Sequence, residues 1–157
     1  MSTHIAALDI GQSSSESLEH RTDRARYLAL VARALFVAIF LTTFSHFSRQ
    51  TIDYAAQQGV PLAWLAVPLS GVIALAGALS ILVGYKARLG AWLLVLFLVP
   101  VTLTLHRFWG LTDPMAAMLQ RVMFLKNVSM LGGALLIAYF GAGPLSLDAR
   151  ARTRVRA

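Results

Sequence analysis

The sequence predicts an all-α protein, an integral membrane four-helix bundle with both termini cytoplasmic. Three observations predict it. First, the 157 residues are 57% hydrophobic and only 13% charged, against about 25% charged for an ordinary soluble domain. Second, the apolar residues collect in four runs, each close to the ~20 residues that carry a helix across ~30 Å of hydrocarbon. Third, the basic residues gather on one side of those runs, as the positive-inside rule requires.

Residues 1–23 are polar and mixed in charge, with QSSSES at Gln12–Ser17. They read as a disordered cytoplasmic tail, and not as a signal peptide, because no apolar core follows a basic start. The transmembrane domain occupies residues 24–148, with spans at about 27–47, 62–84, 89–106 and 122–140. Each span is read as a helix, because a lone segment in lipid must satisfy its own backbone hydrogen bonds. Pro68 and Pro100 lie inside spans two and three and predict kinks. RQTIDYAAQQGVP, from Arg49 to Pro61, predicts a short interfacial helix ending at Gly59. GYKARLG, from Gly84 to Gly90, is a tight basic turn that makes spans two and three antiparallel neighbours. Asp113 followed by Pro114 supplies an N-cap and a first helical residue, so the last span starts early. Residues 149–157 form a basic cytoplasmic tail.

Orientation follows from counting. With four spans, the tails and the Gly84–Gly90 turn share a side. That side carries Arg21, Arg24, Arg26, Lys86, Arg88, Arg150, Arg152, Arg154 and Arg156, against Arg49, Arg107 and Arg121 opposite. Nine against three places both tails in the cytoplasm. Small residues recur every fourth position as Ser70, Ala74, Ala78 and as Ala76, Ser80, Gly84, with Gly132–Gly133–Ala134 in the last span. Such stripes predict close helix packing.

Several functions are excluded. The net charge is +7, but no nucleic-acid motif accompanies it, so no nucleic-acid partner is expected. Without cysteine there is no disulfide, thiolate zinc site, cysteine-ligated cluster or thiol redox cycle. GxSxG, HExxH and phosphate-loop motifs are missing, and no metal ligand set is predicted. No span holds a carboxylate, which argues against a membrane proton relay.

Ionisable groups at membrane depth are costly and therefore candidates for function. Arg33, two turns into the first span, either snorkels to headgroups or pairs inside the bundle. Five further residues fall at one depth near the outer interface: His46, His106, Arg107, Lys126 and Asn127. Asp53 and Asp113 stand in the outer loops, and Phe47, Trp64, Phe108 and Trp109 resemble an aromatic belt. Three readings remain open. The polar residues are interfacial anchors, they bind an anion or a quinone head, or the two histidines ligate a metal or haem. Within the second reading, Arg107 is favoured over His106 for an anion because its charge is permanent.

HRFW at His106–Trp109, FLKN at Phe124–Asn127, LGGALLIAYFGAGPLSLD at Leu131–Asp148, GVPL at Gly59–Leu62 and the stretch Pro68–Trp92 resemble the DoxX family. The likeness covers about residues 27–148. It implies a small four-helix, multi-pass protein of the bacterial inner (plasma) membrane, in contact with the lipid bilayer. It further implies the membrane subunit of a quinone-linked oxidoreductase system, or an accessory to it, with a quinone as the only cofactor and a redox or complex subunit as protein partner. The alternatives are a non-catalytic structural or assembly subunit of a larger membrane complex and a small-solute transporter, with a homo-oligomer as a further partner reading. The sequence departs from the family in lacking a glutamate near Ala74 and a lysine near Phe44–His46.

Overall fold

The computed structural model describes residues 26–156, and every regular element among them is a helix. The predicted disordered tail, 1–23, lies outside the described residues. Helix α1 covers residues 26–38 and continues as a 3₁₀ helix over Ile39–Phe47. Apolar spacing predicts a single α-helix there, so the last nine residues are wound more tightly than expected. Within that segment the Thr42 hydroxyl donates to the Ile39 carbonyl three residues back at 2.6 Å. Helix α2, Arg49–Gln57, is capped by the Ser48 hydroxyl, which accepts from Thr51 N at 3.3 Å.

Helices α3 (Ala63–Val83), α4 (Ala87–Leu105) and α5 (Pro114–Phe140) are each long and apolar enough to cross a membrane. Their outward faces expose Leu65, Leu69 and Val72 on α3, Trp92, Leu96 and Leu103 on α4, and Val122, Leu125 and Leu136 on α5. Water would not tolerate so continuous an apolar surface. Lipid does, and these helices contact the bilayer. The Asp113 carboxylate caps α5 by accepting from Met115 N and Ala116 N, each at 3.2 Å. Span four thus begins early, as its Asp-Pro start predicts.

Helices α3, α4 and α5 run antiparallel in succession. Their core contains Val37, Phe40, Ala74, Ala78, Ile81, Leu94, Leu98 and Ala134. Ala74 and Ala78 belong to a predicted small-residue stripe, but the closest backbone approach is at a different pair. A Cβ on Gly77 would lie 2.7 Å from the Gly90 carbonyl oxygen, and one on Gly90 would lie 2.6 Å from Ser80 Cβ. With lipid outside, nothing hydrophobic drives helices together, so contact of this kind is what holds them.

The end of the protein at the α3–α4 turn is locked by polar bonds. The turn is only Gly84–Lys86, shorter than the sequence suggests. Lys86, the N-cap of α4, offers no capping side chain. Asp148 supplies the cap from 62 residues away. Its carboxylate accepts from Lys86 N at 2.8 Å and Ala87 N at 3.0 Å, while its own N donates to the Gly84 carbonyl at 2.8 Å. Asp148 sits in α6, Leu147–Arg156, so the segment read as a basic tail is helical and begins by docking on the turn. Arg33 joins from α1. Its Nη2 donates to the Leu145 carbonyl at 2.9 Å and its Nε to Ala29 at 3.4 Å. It is only 4% exposed, so it bonds inside the protein and does not snorkel. Its Nη1 has no hydrogen bond and lies against Gly84, where a Cβ would be 2.5 Å away.

Two measurements check this packing. Gly77→Ala should cost about 1–3 kcal/mol, because the helices must separate to admit the methyl. Gly132→Ala, where nothing lies within 4 Å of the added carbon, should be neutral or stabilising by up to about 1 kcal/mol. Denaturant unfolding in detergent compares them, and equal effects would contradict the Gly77–Gly90 contact. Asp148→Ala should cost about 1–2 kcal/mol through the lost cap, read in the same assay.

Candidate functional site

The opposite end is built differently. Helices α2, α3, α4 and α5 and the 3₁₀ segment meet there around two adjoining cavities. The first is apolar, about 440 Å³, and walled chiefly by Val60, Pro61, Val67, Ile73, Leu96, Phe97, Pro100, Val101 and Leu105. The second, about 270 Å³, carries the polar groups: Thr51, Tyr54, His106, Lys126 and Asn127. His46, Thr51, Phe97, Val101 and Leu105 line both, so one wall divides two chambers. Pro100 has no N–H to give the Leu96 carbonyl, and both residues face the apolar chamber.

Four of the five predicted residues line the polar chamber. His46 ends the 3₁₀ segment, and its ring meets Phe97 edge-on at 5.7 Å. A Cβ on Gly71 of α3 would lie 2.9 Å from His46 Cβ, so only glycine lets this histidine seat so close to α3. His106 ends α4. Its Nδ1 lies 2.9 Å from Gln120 Oε1, and Gln120 Nε2 donates to the Tyr54 hydroxyl at 3.1 Å. With Gln120 Oε1 as the acceptor, the His106 Nδ1–H is the donor. Lys126 donates to the Met123 sulfur at 3.2 Å, a weak acceptor, and pairs with no carboxylate among the described residues. Asn127 is 4% exposed and forms no side-chain hydrogen bond among the described residues. Its amide opens on the chamber and is not sealed in the protein as Arg33 Nη1 is.

Arg107 does not line either chamber. It is exposed, and its Nη2 donates to the Gln58 carbonyl at 3.1 Å, tying the end of α2 to the α4–α5 loop. The loop acids also stand aside, with Asp113 engaged as a cap and Asp53 exposed. Phe108 and Trp109 form an edge-to-face trio with Phe124. Trp109 remains half-exposed. The sequence reading missed Tyr54 and Gln120. A signal for Gln120 existed: it stands seven residues before Asn127, which puts both on one helix face once α5 starts at Pro114. Tyr54 had no signal, because its place depends on how α2 folds back. Among the described residues, no group of three or more His, Cys, Asp or Glu lies close enough to hold a metal ion.

The family is decided by comparison with known proteins. The SURF4 family model matches residues 12–153. The chain belongs to the SURF4 family. It is 32% identical over 128 residues to the Inner membrane protein YphA of Escherichia coli (strain K12), an alignment covering 78% of this chain and 89% of that protein. It is 29% identical over 133 residues to the ER-derived vesicles protein ERV29 of Saccharomyces cerevisiae, covering 83% of this chain but only 36% of the yeast protein. The chain therefore spans about a third of that relative. No solved structure matches it.

These findings overturn the DoxX resemblance. The motifs that carried it, from GVPL at Gly59–Leu62 to Leu131–Asp148, all lie inside the SURF4 match. They are helix ends, aromatic anchors and small-residue runs, features that membrane packing imposes on unrelated helical proteins. The function drawn from that resemblance falls with it: nothing supports a quinone-linked oxidoreductase, a bound quinone or a redox partner, and the assembly-subunit and transporter alternatives tied to it are replaced.

The geometry makes a stability prediction. Replacing the unpartnered amide by an apolar isostere, Asn127→Leu, should stabilise delipidated protein by about 1 kcal/mol. Thermal unfolding in detergent reads it. A lowered midpoint would show that the amide has a structural partner.

Proposed function

We propose that this SURF4-family chain is a membrane receptor that holds a ligand in the paired cavities at its outer end. The observation that carries the reading is Asn127, buried and without a hydrogen bond among the described residues, beside a lysine that faces no carboxylate. Natural proteins keep such groups where a ligand completes them. The apolar cavity, about 440 Å³, falls in the size range of ligand sites, and the pair combines an apolar wall with a few convergent polar groups. Likeness to a yeast protein named for ER-derived vesicles supports a receptor role over an enzymatic one.

The receptor is read as a four-helix bundle of the bacterial inner membrane, multi-pass, with both termini cytoplasmic. The YphA relative, named as an inner membrane protein, supports the location. Residues 26–38 as α-helix and Ile39–Phe47 as 3₁₀ helix reach about 20 Å and about 18 Å, enough together to serve as a fourth span. The basic residues at the Gly84–Lys86 turn and on α6 support a cytoplasmic face there. A protein partner, or a second copy, is compatible with this reading. No nucleic acid is expected.

Two experiments test it. Val101 lines both chambers, so Val101→Trp obstructs both at their shared wall. Native mass spectrometry of protein released from its own membranes should show a bound mass on the wild type and none on Val101→Trp. Bare protein in both cases would contradict a receptor. For topology, an impermeant thiol reagent on right-side-out vesicles should label Thr112→Cys and spare Tyr85→Cys. The reverse pattern would invert the orientation.

A further inference from the structure

We infer that the ligand of the paired cavities is a single-chain amphiphile with an anionic head: one hydrocarbon chain in the apolar chamber, the head at Lys126 and Asn127. The inference rests on the receptor reading and names its ligand class. The two chambers differ in chemistry and share a wall. The larger is hydrocarbon, with Val67, Ile73, Leu96 and Val101 on its surface. A chain there exchanges one apolar contact for another, so it binds where the shape fits and gains little from hydrophobicity in lipid. Selectivity must then come from the smaller chamber.

That chamber offers donors in excess. Lys126 brings a charged ammonium whose one hydrogen bond among the described residues is to a sulfur. Asn127 brings two amide N–H groups that find no acceptor among the described residues. The only carboxylates within the described chain are Asp53, Asp113 and Asp148, and none lines the chamber. An ammonium in a partly dehydrated site attracts an anion, and charge-assisted bonds to it are worth about twice neutral ones. The ligand must supply that anion. His106 lines the same chamber, and its Nε2 is not engaged by the Gln120 bond, which is made at Nδ1. The dividing wall of His46, Phe97 and Val101 sets head and chain apart.

Wild-type protein in phosphatidylcholine nanodiscs is incubated with a diazirine-bearing palmitate, irradiated, and mapped by peptide mass spectrometry. Labels are expected on the α4 peptide around Leu96–Val101 and the α5 peptide around Lys126. Excess palmitate should remove them, and hexadecanol, which has the chain without the charge, should not. Lys126→Met should lower the labelling about tenfold, and Lys126→Arg should retain most of it. Three results would overturn the inference. They are labels spread over all lipid-facing helices, equal competition by hexadecanol, and equal competition by phosphatidylglycerol added to the disc, which would make the site one for a two-chain headgroup. If palmitate fails but the wild type still carries another mass lost in Val101→Trp, the ligand class is wrong and the receptor stands. If neither binds, both fall.

Discussion

A polar group inside a bilayer has no water to fall back on, and this constraint organises the whole molecule. At the α3–α4 end it is met largely by the chain itself, with the Arg33 Nη1 left over. Arg33 donates to the carbonyls of Ala29 and Leu145. Asp148 closes the N-terminus of α4, which Lys86 leaves uncapped. These bonds join residues far apart in sequence, so α1, the turn and α6 become one rigid end. Backbone groups at helix termini must be satisfied somewhere, and here a remote carboxylate does it.

At the other end the same constraint is not met internally. Gln120 links His106 to Tyr54 and so fixes one wall. Lys126 and Asn127 lack equivalent partners, although the helix that carries them is capped and regular. A site held by rigid elements with donors left over is organised before any ligand arrives, which lowers the entropy lost on binding. The cost is stability at that end, in keeping with the general trade between a stable fold and a poised site.

Much of this was legible in the sequence. Hydrocarbon run length located α3, α4 and α5, because lipid allows few other solutions. Asp113–Pro114 announced the start of α5. The depth of the polar residues in each run brought His46, His106, Lys126 and Asn127 together correctly. Arg107 was misplaced because depth fixes height in the membrane but not direction, and its side chain turns outward to Gln58. Contacts made by backbone proximity were legible only in part: the Gly77–Gly90 approach touches the predicted stripes at Ser80 alone, and the reach of Asp148 across to Lys86 has no spacing signature. The family was misread because helix ends and aromatic anchors record the membrane more than they record ancestry.

The central claim is that Lys126 and Asn127 are completed by a molecule other than the chain. A density map of the protein taken from its own membranes tests it most directly. The account predicts continuous density within hydrogen-bonding distance of both side chains, running past His46 into the apolar chamber. An empty chamber with the Asn127 amide bonded to another residue of the protein would contradict it.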